Sequence, residues 1–373
     1  MTELHEVRPG MQVLYAGNRL ATVPDEVAER FKPGDRLLVV QTTGEVLHVP
    51  ADQWEIATAA VSNAAAAFQA LNSVEASAIS AFFERFAANL ENADTWSQIA
   101  AINQADVERA GAAGRSTTRL VATEKMRADM IDGLRAWADM PSPNGPFTTL
   151  QHEGWRIDQV RSAYGVIAFV FEGRPNVLAD GAGVLRSGNT AVMRIGGDAL
   201  DTAKATLDLA IAPALQEAGL PPGCLQLVDS REHSAGWALF SDPRIGLAVA
   251  RGSGPAVLTL GTLASQSGIP VSMHGTGGAW IIADETASAD ALKAAVYHSS
   301  DRKVCNTVNV VCLPRTRAAE LAPVVVDALE ERGNVLGHGF KLHVAEDTIE
   351  YVPDDLFTTT RPIFRAQGPV EEP

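Results

Sequence analysis

The stretch of this chain best suited to covalent chemistry is Arg302-Lys303-Val304-Cys305-Asn306-Thr307, a cysteine set between two cations and an amide. A thiolate is both a nucleophile and a good leaving group, so it suits reactions that pass through a thioester. Its ordinary pKa, about 8.5, has to fall for that work. Arg302 and Lys303 would lower it, and both carry donors able to hold a phosphate or carboxylate. The same residues also describe an inert thiol on a basic surface, and the hexapeptide alone leaves both readings open. Cys312, within an apolar run, and Cys224, at a strand start, read as small core residues. Three irregularly spaced cysteines do not make a disulfide framework or a zinc cluster. Neither an H-E-x-x-H nor a Cys-His-Asn protease order is present.

The chain that carries this thiol has 373 residues, 46% of them hydrophobic, enough for two domains with cores of their own. A formal charge of −15 argues against a polyanion partner, leaving a small-molecule substrate as the expected ligand. No apolar run approaches the roughly 20 residues of a membrane span, and Met1-Thr2-Glu3-Leu4-His5-Glu6 lacks the basic-then-apolar signature of a signal peptide. The expected location is therefore cytoplasmic.

Residues 1–52 read as a small β-rich module, with strands at Gln12–Tyr15, Arg36–Gln41 and Glu45–Val49. Its run from Thr22 to Val27 and on through Phe31-Lys32-Pro33-Gly34-Asp35-Arg36 resembles the swapped-hairpin half of AbrB-type DNA-binding dimers. The module is short of basic residues, which favours a hairpin that covers a sheet edge or helps two chains pair. From about Asp52 the period turns helical: Ile79, Phe82, Phe83, Phe86 and Leu90 share one face and predict core. Thr95 and Gln98 suggest a capping box, and a helix over about 118–138 is expected to stop before a loop at Pro141–Pro146.

Between about Gln159 and Ala283 strands and helices alternate, the signature of an α/β fold with a doubly wound parallel sheet. Strands are expected at Gly165–Phe171, Thr190–Arg194, Cys224–Val228 and Ile245–Val249, apolar enough to be covered on both faces. Such sheets place ligands at the carboxyl ends of their strands. No G-x-G-x-x-G is present, but Ala250-Arg251-Gly252-Ser253-Gly254 links a strand to a helix, so its amides could face an anion. A tight turn that needs glycine is the alternative. A second α/β unit follows, with strands at Ala279–Ala283, Val308–Leu313 and Lys341–Val344, helices over about 289–299 and 317–332, and an irregular tail from about Asp354.

Three collinear motifs then narrow the reading: Glu172-Gly173-Arg174-Pro175-Asn176-Val177, Leu185 through Gly197, and Val304-Cys305-Asn306-Thr307-Val308. In this order and at this spacing they resemble the γ-glutamyl phosphate reductases of the aldehyde dehydrogenase superfamily, over about residues 55–330. The resemblance implies an aldehyde-dehydrogenase-like fold, with a helical layer and NADP(H)-binding domain at 53–272 and a catalytic cysteine domain, expected to be incomplete against the family, at 273–373. It implies NADPH-dependent reduction of an acyl phosphate through a thioester on Cys305, in proline biosynthesis, with Asn176 and the Cys305 amide as an oxyanion hole. Arg194 falls where the superfamily places a basic residue near the adenosine ribose, its alternative being an exposed strand-end charge. Gly196, Gly252, Ser253 and Gly254 are the other implied cofactor residues. Arg174, Arg302, Lys303 and Asn306 are implied at the substrate or its phosphate, and a homo-oligomer is implied as the assembled form.

Oxidising members of the superfamily carry a glutamate base on the strand after the cofactor helix, where this chain has Met273 and His274. Water attack on a thioester would waste it, so their presence favours a reductase. Lys303 and Asn309 depart from the family around the cysteine, and the family's C-terminal segment is not visible before Pro373, as in a fragment or a shortened paralogue. Two further expectations follow from these departures: an acylating reductase for a different acyl phosphate or thioester in a specialised pathway, and a non-catalytic truncated paralogue with an assembly or regulatory role.

Overall fold

The computed structural model describes residues 4–275, 278–300, 307–337, 339–358, 360–365 and 368–372. It divides into two compact units, 1–275 and 276–373.

The first unit opens on the β-rich module. Strands β1 (Gln12–Tyr15) and β2 (Arg19–Thr22) form an antiparallel hairpin joined by the three residues Ala16-Gly17-Asn18, of which Ala16 and Gly17 take positive φ. Helix α1 (Asp25–Arg30) leads to a second hairpin, β3 (Arg36–Val39) with β4 (Val46–Val49). Val7, Ala21, Val23, Val27 and Val46 give the module a core of its own. Among the described residues the second hairpin hydrogen-bonds to no strand of another sheet. It docks instead on helix surface further along the chain, where Val40 and Leu47 pack on Leu263 and the Gln266 side chain bonds Gln41 N (3.3 Å) and Val39 O (3.1 Å).

Four helices follow: α2 (Ala51–Leu71), α3 (Ala76–Glu91), α4 (Ala93–Ala112) and α5 (Glu124–Asp139). The Phe82, Phe83, Phe86 and Leu90 face is fully buried, as its spacing predicts. α4 starts two residues before the expected capping box, because the Asn92 carboxamide oxygen accepts from both Asp94 N and Thr95 N at 3.0 Å. α5 starts later than expected, at the Thr123 cap. Where the sequence suggested only a loop, β5 (Gly145–His152) and β6 (Trp155–Arg161) form a long antiparallel hairpin. Apolar and polar residues are exposed on both of its faces, so no clean period-2 alternation marks it.

The parallel sheet comprises β7 (Val166–Phe171), β8 (Thr190–Ile195), β9 (Leu225–Leu227), β10 (Ile245–Arg251) and β11 (Val271–His274), in the order β11-β10-β7-β8-β9. Its connections are helical: α6 (Val177–Ala182), then α7 (Leu200–Thr206) running through a π-helical turn into α8 (Ala212–Glu217), then α9 (His233–Leu239) and α10 (Gly254–Gln266). The π turn immediately precedes Pro213, which has no N–H to give the helical ladder. α8 ends at Gly219 with φ +70°, where Leu220 N and Gly219 N close back on Leu215 O and Gln216 O. One sheet face buries Ile167, Phe169, Met193 and Ile195 under α3 to α8. The other buries Val166, Ala168, Val192 and Ala248 under α2, α9 and α10. Covered on both sides, these strands read as the near-continuous apolar runs seen in the sequence.

In the second unit β12 (Ala279–Ile282) pairs in parallel with β13 (Val308–Cys312), and α11 (Ala289–Ser299) packs on α12 (Ala318–Leu336) through Leu292, Val296, Leu321 and Val325. Residues 341–344, expected as a strand, are irregular. The tail expected to be irregular instead forms β14 (Arg361–Arg365) and β15 (Gly368–Glu372), an antiparallel pair. Pro362 and Pro369 hid it, although a two-stranded ribbon consists only of edges, where proline is tolerated.

Candidate active site

The strand order of the sheet reverses between β7 and β10, and this switch point is where a doubly wound sheet opens a crevice at its carboxyl edge. Two segments border it: Glu172–Asn176 after β7, and Arg251–Gly254 after β10.

Asn176 is the N-cap of α6, and its backbone carbonyl already accepts from Ala179 N (3.1 Å) and Asp180 N (3.2 Å). Its half-buried carboxamide takes no part in capping, which leaves the N–H groups able to serve a ligand. Arg174 is engaged locally, with Nη2 2.7 Å and Nε 3.2 Å from Glu172 Oε2. Arg119 Nη1 approaches the same oxygen at 3.6 Å. Desolvation raises the pKa of Asp180, opposed by the charges of Arg251 and Arg174. Arg251 itself lies 5.8 Å from the centre of the Phe171 ring. Nothing in the local sequence marks Arg251 out; the pairing of β10 with β7 brings it beside the Asn176 segment.

The turn Gly252-Ser253-Gly254 opens the thirteen-residue α10, with Ser253 as N-cap and Pro255 in the first turn. Gly252 N is spent on His274 O (3.2 Å), and the Ser253 hydroxyl makes no capping bond. The early amides of α10 and that hydroxyl together form an anion-facing helix end. This donor set fits the phosphates of a dinucleotide, and a buried arginine nitrogen without a partner marks a second polar point along the same edge.

Arg194 is 5% exposed, so the alternative of an exposed strand-end charge is excluded. Its Nη2 donates to Arg231 O (2.9 Å), while its buried Nε has no partner. Burial pushes its pKa below the ordinary arginine value, opposed by the charge of Glu232. Gly196 has a packing reason to be glycine: a Cβ there would stand 2.5 Å from Gly173 N, where the chains leaving β7 and β8 touch. At the end of β11, Met273 and His274 are exposed and no carboxylate is present, with Ser272 Oγ 3.2 Å from His274 Nε2.

Arg302, Lys303, Cys305 and Asn306 lie outside the described residues. Of the other thiols, Cys224 is buried and its pKa is pushed up to about 12, which suits an inert core residue, and Cys312 is half-buried on β13. The Asn309 side chain fills the space over Gly278, where a Cβ would stand 2.7 Å from Asn309 Nδ2. Among the described residues no cluster of His, Cys, Asp and Glu could hold a metal ion, and no helix is long and apolar enough to cross a membrane.

Comparison with known proteins agrees with this architecture. The γ-glutamyl phosphate reductase of Rhodopseudomonas palustris (strain BisB18) is 34% identical over 246 residues, 63% of this chain and 56% of the relative. That of Caldanaerobacter subterraneus subsp. tengcongensis is 30% identical over 292 residues, 76% of this chain and 69% of the relative. The chain thus spans little more than half the length of the first curated relatives it matches. The crystal structure of γ-glutamyl phosphate reductase from Thermotoga maritima shares the fold, with a TM-score of 0.66 at 23% identity, covering 78% of this chain and 73% of that one. The aldehyde dehydrogenase family profile matches residues 39–341, most of the sequence and both units, and the chain belongs to that family.

Proposed function

We propose that this chain carries out, or forms the larger part of an enzyme that carries out, NADPH-dependent reduction of L-glutamyl 5-phosphate to glutamate-5-semialdehyde, a step of proline biosynthesis. The observation that carries the reading is the free Asn176 carboxamide at the switch point of a sheet whose relatives are γ-glutamyl phosphate reductases. In this reading residues 53–272 bind the cofactor and residues 273–373 supply the cysteine.

The Cys305 thiolate attacks the acyl carbon, a C–S bond forms, and phosphate leaves with the electrons of the broken C–O bond. Asn176 and the Cys305 amide donate to the oxygen that becomes negative during this exchange. NADPH, when bound, would supply a hydride to the thioester carbon. The thiolate then departs, and the semialdehyde is released. Arg174, Arg302, Lys303 and Asn306 are assigned to the phosphate and carboxylate of the substrate, with Arg174 passing from Glu172 to the ligand. Met273 and His274 stand where a carboxylate base would activate water, and the lack of that carboxylate disfavours hydrolysis of the thioester.

The test is the reverse reaction, in which glutamate-5-semialdehyde and phosphate should reduce NADP+ only when both are present. A panel of other acyl phosphates and thioesters accompanies it. Turnover confined to another acyl group would move the substrate assignment, in line with the Asn309 departure. Absence of turnover with every member, by this chain and by any longer product of its reading frame, would sink the catalytic reading.

A further inference from the structure

We propose that Arg231 is the residue that reads the 2′-phosphate of NADPH, with Arg194 and Gly197 as the residues that position it. This rests on the cofactor reading above and names a specificity residue within it.

Three contacts fix Arg231 at the carboxyl edge of the sheet. The buried Arg194 Nη2 donates to its carbonyl at 2.9 Å, holding the backbone after β9 toward β8. Its stem lies across Gly197, where an added Cβ would stand 3.2 Å from both Cβ and Cγ of Arg231. Its Nη2 reaches Asp201 Oδ2 at 2.7 Å. The guanidinium is held in place and still open, with 48% of the side chain exposed.

The carboxylates around it decide which ribose it suits. NADH specificity asks for a free carboxylate to accept from the 2′-hydroxyl. Here Asp198 is held by Arg115 Nη1 at 2.5 Å, and Asp201 is shared by Arg109 Nη1 at 3.1 Å and Arg231. Asp229 is held by Lys204 Nζ at 2.6 Å. Each of these three is paired with a cation, and the charge of the neighbouring Glu232 acts on Arg194, while Arg231 spends one of its five N–H donors on Asp201. A phosphate dianion would take the remaining donors in the bidentate geometry a guanidinium offers. β8 lies two strands from β10, about 10 Å at ordinary strand spacing, which an adenosine moiety anchored at the α10 end can bridge. The buried Arg194 Nε, without a partner beneath this site, adds a positive charge that no carboxylate hydrogen-bonds.

The experiment is isothermal titration calorimetry on the full chain with 2′,5′-ADP and 5′-AMP, which differ only in the 2′-phosphate. Wild type should bind 2′,5′-ADP at least about tenfold more tightly, the scale of a charge-assisted pair. Arg231→Gln should bring the two affinities together by weakening 2′,5′-ADP alone, and Arg231→Lys should keep part of the preference. Gly197→Ala, which pushes the Arg231 stem aside, should act in the same direction without removing the guanidinium. Thermal melts of each variant check the fold. Equal binding of the two ligands by wild type, or a preference that survives in a folded Arg231→Gln protein, overturns the proposal while leaving nicotinamide binding intact. Failure of wild type to bind either ligand, NADPH or NADH overturns both this assignment and the cofactor reading.

Discussion

Asn176 and Cys305 carry different burdens in the proposed chemistry, and their substitutions should separate them. Cys305→Ala removes the atom that holds the acyl group and should abolish reduction, read as loss of NADPH oxidation. Asn176→Ala should leave nucleotide binding unchanged and lower kcat by about 10²–10³, the usual effect of deleting one oxyanion donor. Cys224 should behave as the opposite kind of thiol. Buried, with its pKa at about 12, it should escape iodoacetamide in the native protein at pH 8 and react only after unfolding, as peptide mass mapping would report. The linked effect on stability has a definite sign. Between the unfolded thiol's pKa, about 8.5, and the folded value near 12, the folded state keeps a proton that the unfolded state loses, so this contribution shrinks as pH rises. The difference in Tm between wild type and Cys224→Ala should therefore narrow from pH 8 to pH 10.

At the scale of elements, the junction of α4 with α7 rests on one buried carboxylate. Asp106 is fully buried, accepts from Thr202 N (2.9 Å) and Thr202 Oγ1 (2.7 Å), and pairs with Arg109. Asn103 next to it bonds Leu120 O (2.9 Å) and accepts from Ala122 N (2.8 Å). Asp106→Ala would strand these donors and should cost about 3–5 kcal/mol in denaturant unfolding. The β-rich module has a comparable tie in Asp35. Desolvation opposes its charged form, but the His48 ring at 2.7 Å and the Lys32 and Ala51 amides prevail and hold its pKa below the ordinary value. That stabilisation is present above the unfolded carboxylate pKa and is lost as pH falls through the lower folded value. Asp35→Asn should accordingly speed amide exchange in β3 and β4 at pH 7, and speed it less in acid.

Elements packed by local, periodic patterns were legible from the sequence. The phenylalanine face of α3 and the apolar strands β7, β8, β9 and β10 were visible because burial on a helix stripe, or on both sheet faces, leaves a direct hydrophobic imprint. The β5–β6 hairpin left none, since its side chains are exposed on both faces, and β14–β15 was masked by its prolines. The site divided along the same line. Asn176, Arg194 and the Gly252-Ser253-Gly254 turn could be singled out from the sequence. Arg251 and Arg231 could not, because their relevance depends on which strands lie side by side and on a glycine-sized gap at residue 197.

Across the whole molecule, the two compact units hold separate cores, Phe82 and Leu178 among the centres of one, Leu292, Val296 and Leu321 of the other. A chain of residues 1–275 is expected to unfold as a cooperative species and to keep its affinity for 2′,5′-ADP, since every residue assigned to that ligand lies within it. Phe82→Ala should lower the stability of this unit by about 3–5 kcal/mol and leave the second unit's exchange pattern unchanged.

The placement of the six tryptophans gives these experiments an optical readout. Trp155, on the β5–β6 hairpin, is 55% exposed, and Trp280, on β12, is 64% exposed. Trp96 is buried and donates to Glu124 Oε1 at 2.7 Å. Red-shifted, quencher-accessible emission from the native protein should therefore come chiefly from one indole in each unit. Trp280 is the second unit's only tryptophan, so exchanging it for phenylalanine leaves emission that reports on the first unit alone, and the difference from wild type in acrylamide quenching on melting follows the second.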